Sequence, residues 1–296
     1  MSAELIHSIP VHNTLGEGVV WDARSQAAWW TDIQESRLFC MAYPSLDIEY
    51  FDTPERLCCF ALTDNPDKLL VAFASGFALY EYRTGNLQWL HRPEELQPGS
   101  GRRLNDGRLD RQGRFWVGAM VEDKGAATGK PANLYCLDSN GELSIHKSDI
   151  AISNGICWAP DNSTFYFADS PKQHIYSYKY DISRGSISEQ KQFSATPVGQ
   201  FPDGGITDSN GHVWSAHWGG HCVVRYTPQG QITEKVAIPT QQPSCLAFGG
   251  ADMKTLFVTS ARQGLNSQQL AKDTQAGNLF VLETTITGLQ EPIYQT

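Results

Sequence analysis

Six polar turns, each followed by a short run of β-branched and aromatic residues, recur along the chain at nearly even spacing. This repetition restricts the fold more than any other feature of the sequence. The turns are Asp22-Ala23-Arg24-Ser25, Asp64-Asn65-Pro66-Asp67, Asp110-Arg111-Gln112-Gly113, Pro160-Asp161-Asn162, Asp208-Ser209-Asn210-Gly211 and Gly249-Gly250-Ala251-Asp252. The runs that follow are Trp29-Trp30-Thr31, Leu69-Leu70-Val71-Ala72, Arg114-Phe115-Trp116-Val117, Thr164-Phe165-Tyr166-Phe167, His212-Val213-Trp214-Ser215 and Thr255-Leu256-Phe257-Val258. Gly and Asn supply the left-handed backbone positions that such hairpins need. A further strand pair follows each run, clearest in Ile175-Tyr176-Ser177-Tyr178 with Ser186-Ile187-Ser188. Four strands in a period of roughly 40 to 50 residues describe a propeller blade. A β-sandwich would not need the regular period. The chain is therefore expected to be all-β: a six-bladed β-propeller with four-stranded antiparallel blades, in one domain over residues 1–296. Blade limits are expected near 14–53, 57–92, 103–150, 152–196, 201–240 and 242–295, with a strand around Glu4 to Ser8 pairing into the last blade to close the ring.

Composition narrows the partners. The hydrophobic share of 41% is ample for a core. It is spread evenly, and no stretch approaches the roughly 18 apolar residues of a membrane span. A formal net charge of −9 without a Lys or Arg run disfavours nucleic acid. The opening Met1 to His12 has neither a basic region nor an apolar one, so a cytoplasmic protein is expected and the Asn162-Ser163-Thr164 glycosylation match carries little weight. Seven cysteines, with no CxxC pair and no zinc-finger spacing, read as reduced and mostly buried thiols. No membrane, nucleic-acid or obligate protein partner is expected.

In a propeller, the loops that enter the innermost strands converge at one end of the central channel. Residues at one phase of the repeat therefore become neighbours. That phase holds Glu17 in Leu15-Gly16-Glu17-Gly18, Asn105 and Asp106 in Arg103-Leu104-Asn105-Asp106-Gly107, Asn154 in Ser153-Asn154-Gly155, and Asp203 in Pro202-Asp203-Gly204. Cys58-Cys59 and Ser244-Cys245 fill it in the two remaining blades. An Asn-Gly or Asp-Gly pair seen alone is most often a turn. Three at matched phase, joined by a Glu, point to a site instead. Glu17, Asn154 and Asp203 make a hard all-oxygen set carrying two negative charges, which suits one divalent cation. Oxygen ligands favour calcium, magnesium or manganese, while availability and general affinity also admit zinc or ferrous iron. Arg103 has the planar donor fork that holds ring or hydroxyl oxygens, although a surface Arg beside Arg102 is the alternative reading.

These motifs, with Trp21-Asp22, Trp30-Thr31-Asp32-Ile33 and the late Thr259-Ser260-Ala261-Arg262, resemble the regucalcin/gluconolactonase family of sugar lactonases, in order and spacing from about residue 14 to the end. The resemblance implies a six-bladed propeller with one divalent ion held by Glu17, Asn154 and Asp203. It implies that Asn105 lies beside the metal, that Arg103 binds substrate oxygens, that Glu122 is the acidic sugar-binding position, and that Asp203 is the general base.

The chemistry fits the residues on its own terms. A lactone carbonyl on the ion is polarised, and water attacks after losing a proton to a nearby carboxylate. Asp203 is the best base, though ligation lowers its basicity, and Asp106 or Glu17 could share the role. The expected reaction is hydrolysis of a pentono- or hexonolactone to the open sugar acid, with the loop Asp123 to Pro131 as a lid. Two rivals remain: a metal-dependent phosphotriesterase or aryl esterase, and a non-enzymatic interaction propeller, which would not need Arg103, Asn105 and Glu122 beside the metal set. His217 and His221 flank a Trp-Gly-Gly turn, so helical zinc spacing does not apply, and His217 is a candidate for the pocket mouth. Trp21, Trp30, Trp116, Trp158 and Trp214 are expected between blades. Ser260 lies in no nucleophile elbow.

Overall fold

The computed structural model describes residues 3–296. Its strands form six four-stranded antiparallel sheets, five of them ordered as the chain runs, which is a six-bladed propeller. Five blades use consecutive strands, from Gly16–Asp22 as the innermost strand of the first to Ile232–Ala237 as the outermost of the fifth. The sixth takes its outer strand from the other end of the chain: Ala3–Ile9 pairs antiparallel with Leu279–Thr284, Ala3 opposite Thr284 and Ile9 opposite Leu279. The expected ring closure is present. Among the described residues no helix is long and apolar enough to cross a membrane.

Burial grades outward across each blade. Every residue of Gly16–Asp22, Ser153–Trp158 and Pro243–Gly249 is buried, whereas Ile48–Asp52 and Ile232–Ala237 are mostly exposed. The inner strands have apolar neighbours on both sides, so they show no polar alternation. Four tryptophans pack between blades as expected: Trp21 stacks on Phe257 of the sixth blade at 5.5 Å, Trp116 meets Trp158 and Phe165 of the fourth, and Trp214 meets Phe248 of the sixth, whereas Trp30 stacks on Phe39 of its own blade at 5.1 Å. At the lower ends of the blades, the indole N–H groups of Trp116 and Trp214 point to the carboxylates of Asp110 and Asp208, at 3.4 and 3.0 Å. All seven cysteines are free, six of them buried.

The blade limits fall close to those expected, except the last. After Thr284 the chain leaves the sixth blade and crosses the lower end of the channel. Gly288 bridges to Asp208 of the fifth blade, Glu291 pairs with Arg108 of the third, and Tyr294 bridges to Thr63 of the second. Residues 285–296 are therefore a strap beneath the channel, not blade.

Candidate functional site

All six innermost strands shift register near their upper ends. The shifts lie between Glu17 and Val20, Leu57 and Cys59, Leu104 and Gly107, Asn154 and Cys157, Pro202 and Gly205, and Pro243 and Leu246. A bulge re-aims side chains out of the pleat, and here it turns Glu17, Asn105, Asn154 and Asp203 into one cavity. Gly18 and Gly155, with φ of 58° and 66°, carry the left-handed turn beside Glu17 and Asn154 that a side chain would strain. At Gly204 the reason is proximity: a Cβ there would lie 2.7 Å from the Cys245 Cα.

The cavity measures about 440 Å³ and opens at the upper end of the channel. Glu17, Arg103, Asn105, Asn154 and Asp203 all line it. Asn105 is the hub. Its amide nitrogen donates to the Ser153 carbonyl at 2.9 Å and to Asn154 Oδ1 at 3.1 Å, while its oxygen accepts from Arg103 Nη1 at 2.7 Å. Asn154 Nδ2 donates to Ser170 Oγ at 2.8 Å, and that hydroxyl donates to the Pro202 carbonyl at 2.7 Å. One hydrogen-bonded chain thus fixes three blades around the cavity.

The electrostatics are unusual. Burial, and then the charge of Asp106, push the Glu17 carboxyl up to about 8, against the opposing Gly18 N–H and Arg103 guanidinium. Burial, then Glu17 and Asp106, raise Asp203 well above the ordinary carboxylate range. Two buried carboxylates thus press on each other, and Arg103 offsets only a small part of the strain. Among the described residues no three His, Cys, Asp or Glu side chains form a metal cluster. The oxygens that could hold a cation are the Glu17 and Asp203 carboxylates with the Asn154 amide oxygen. That hard, doubly charged set fits a divalent ion.

Arg103 is 2% exposed and its guanidinium is held from several sides. Nε donates to Glu122 at 3.0 Å and Nη1 to the Leu104 carbonyl at 2.9 Å, besides its bond to Asn105. A surface Arg it is not. Glu122 does not line this cavity; it borders the adjoining one. Burial opposes its ionisation, but the hydrogen bonds and charges of Arg56 and Arg103 prevail and hold it down to about 2. Asp106 does not line the cavity either. Its carboxylate accepts the Ile156 N–H at 3.1 Å and so ties the third blade to the fourth.

Two expectations change. None of residues 123–131 lines the cavity: the N–H groups of Glu122 and Asp123 bond the Gly101 carbonyl, and the loop lies beside the site instead of over it. His217 is not at the mouth. It is 1% exposed, with its ring nitrogens facing Gln200 Oε1 and Tyr226 OH, and Trp218 takes the lining position.

Other residues gain a part in the site only through the structure, Asp32 of the Trp30-Thr31-Asp32-Ile33 motif among them. Asp32 and Asp169 end the second strands of their blades. Their carboxylates accept the N–H groups of Thr14 and Leu15, and of Ala151 and Ile152, which hold the loops leading to Glu17 and Asn154. Their matched position after an apolar run was the available signal. Arg56, Ser170, Phe201 and Gln263 had none.

Comparison with known proteins extends this picture. A family described as SMP-30/Gluconolactonase/LRE-like region matches residues 15–262. An L-arabinolactonase of Azospirillum brasilense is 41% identical over 94% of this chain and 91% of its own. A 6-deoxy-6-sulfogluconolactonase of Pseudomonas putida is 32% identical over 95% of each. The crystal structure of a calcium-binding regucalcin from Agrobacterium tumefaciens superposes with a TM-score of 0.91 at 29% identity, covering 99% of this chain and 98% of that one.

Proposed function

The chain belongs to the SMP-30/gluconolactonase/LRE-like family, and from that premise we propose that it is a hydrolase that opens a sugar lactone to its acid, using a divalent ion held by Glu17, Asn154 and Asp203. The observation that carries this reading is the pair of carboxylates, Glu17 and Asp203, buried in one cavity with raised proton affinity, where the single lining cation, Arg103, is already bonded to Glu122 and Asn105. A bound ion would supply the charge that polarises the lactone carbonyl and eases deprotonation of water. Asp203, which lines the cavity beside Glu17 and Asn154, accepts the proton of the attacking water, with a basicity that a bound ion would lower. Arg103 orients the ring: its Nε and Nη1 are engaged within the protein, which leaves Nη2 for a ligand oxygen. Asn105 keeps Asn154 and Arg103 in register with each other.

The test is proton release from a panel of aldonolactones, with metal-stripped protein compared with protein resupplied with single ions. Ion-dependent hydrolysis far above spontaneous opening is expected. Asp203→Ala should lose turnover and ion affinity together, and full activity in that variant would sink the assignment. Arg103→Ala should impair lactone handling with the ion still bound.

A further inference from the structure

The cavity has two unlike walls. Carboxylates and carboxamides form one. Leu15, Met120, Ile152, Pro171, Phe201 and Trp218 form the other. Phe201 and Trp218 are direct partners in the pairing of Phe201–Thr207 with Val213–Trp218, so their side chains leave the sheet on the same side. Phe201 keeps 36% of its surface exposed, and that exposure borders the cavity. An aromatic surface opposite a polar one suits a ring with C–H bonds on one face and oxygens at its edge.

Charge sharpens the selection. Among the lining residues Arg103 is the one cation; Glu122, Asn105 and the Leu104 carbonyl engage its Nε and Nη1, and the reading above gives its Nη2 to the oxygens of the lactone ring. Glu17 and Asp203 balance a divalent ion and leave no excess positive charge. A second anionic group on a ligand, remote from the reacting carbonyl, would face the apolar wall without a partner. Burying it there is costly.

We propose that this cavity selects neutral sugar lactones: Phe201 and Trp218 receive the C–H face of the ring, and lactones bearing a sulfonate, phosphate or carboxylate remote from the ring carbonyl are excluded. The inference rests on the lactone-hydrolysing reading and adds the class of substrate.

The experiment measures kcat and KM of the metal-loaded protein for a pentonolactone, a neutral hexonolactone and the same hexonolactone phosphorylated at its terminal carbon. The neutral lactones should exceed the phosphorylated one by about 100-fold in kcat/KM, the scale of a ligand charge left unpaired. Phe201→Leu, at a half-open position where folding is safe, and Trp218→Leu should each raise KM for neutral lactones roughly fivefold with kcat nearly unchanged. Phe201→Arg should narrow the gap to the phosphorylated lactone about tenfold. Equal or better turnover of the phosphorylated lactone, or an unchanged KM in both Leu variants, would overturn the inference while hydrolysis itself stands. Absence of turnover on every lactone would overturn the parent reading, and this one with it.

Discussion

Arg56 and Glu122 meet in a two-point pair, Nη1 to Oε1 at 2.8 Å and Nη2 to Oε2 at 2.9 Å, joining the second blade to the third beside the cavity. Glu122 Oε1 also accepts from Arg103, so one carboxylate holds two guanidinium groups. Arg56 is then a positioning residue: it shares the carboxylate that steadies Arg103. Arg56→Met should raise KM for the lactone by roughly tenfold with ion affinity unchanged, since charge-assisted bonds of this type are worth about 1.5–3 kcal/mol. Arg56→Lys keeps the charge but not the fork, and should fall between. Steady-state kinetics beside a metal titration separates the two effects.

Burial of Glu17 and Asp203 side by side has a cost that a bound divalent ion would offset. Chelation should lower Tm. In the stripped protein, Glu17→Gln or Asp203→Asn should melt higher than wild type, by roughly 2–4 °C for each kcal/mol relieved. Adding the ion should reverse the order. Thermal melts with chelator and with added ion test both halves.

His217 titrates the folded state in acid. Burial, and then Lys235, lower its pKa to about 4, below the roughly 6.5 of an unfolded histidine. The unfolded chain binds the extra proton first, so this stabilising contribution is complete above about pH 6.5 and is lost as pH falls towards 4. Its size is at most about 3 kcal/mol. His217→Gln should flatten the dependence of Tm on pH in that window, whatever it does to Tm itself.

Asn105 is used at both ends of its amide, which makes its isosteric replacement informative. Asn105→Asp loses the donors to Ser153 and Asn154 and adds a fourth carboxylate to Glu17, Asp106 and Asp203. Turnover should drop about 100-fold, in line with loss of a buried donor and added like charge. Circular dichroism should be unchanged. Retained activity would remove Asn105 from its place as hub.

The Arg108–Glu291 pair fastens the terminal strap, and both side chains are largely buried. Glu291→Gln should cost about 3 kcal/mol, because it leaves a buried guanidinium unpaired. Replacing both partners, Arg108→Met with Glu291→Leu, should recover much of the loss. Denaturant melts of the two variants decide it.

Blades were legible in the sequence because their turns announce themselves. Asp110 to Gly113 and Asp208 to Gly211 carry the same chemistry before the same Trp-bearing strand. The cavity was legible through phase, since Glu17, Asn154 and Asp203 occupy equivalent bulges. What sequence missed depends on contacts between blades. Arg56 sits in a polar loop, and only the packing of the second blade against the third gives it Glu122. The loop after Glu122 looked long enough for a lid, yet Gly101 draws it down, in a close approach where a Cβ on that glycine would lie 2.3 Å from the Asp123 carbonyl oxygen. Residues 285–296 show no alternation, because their partners, Asp208, Arg108 and Thr63, come from three different blades.

That strap changes what the central tunnel can be. With residues 285–296 tied to three blades across its lower opening, the tunnel resembles a well with a floor, and its wide mouth is the cavity above. On that geometry an opened sugar acid would leave through the mouth by which the next lactone arrives. Departure and arrival therefore compete for one doorway, so slow loss of the product would hold back every following cycle.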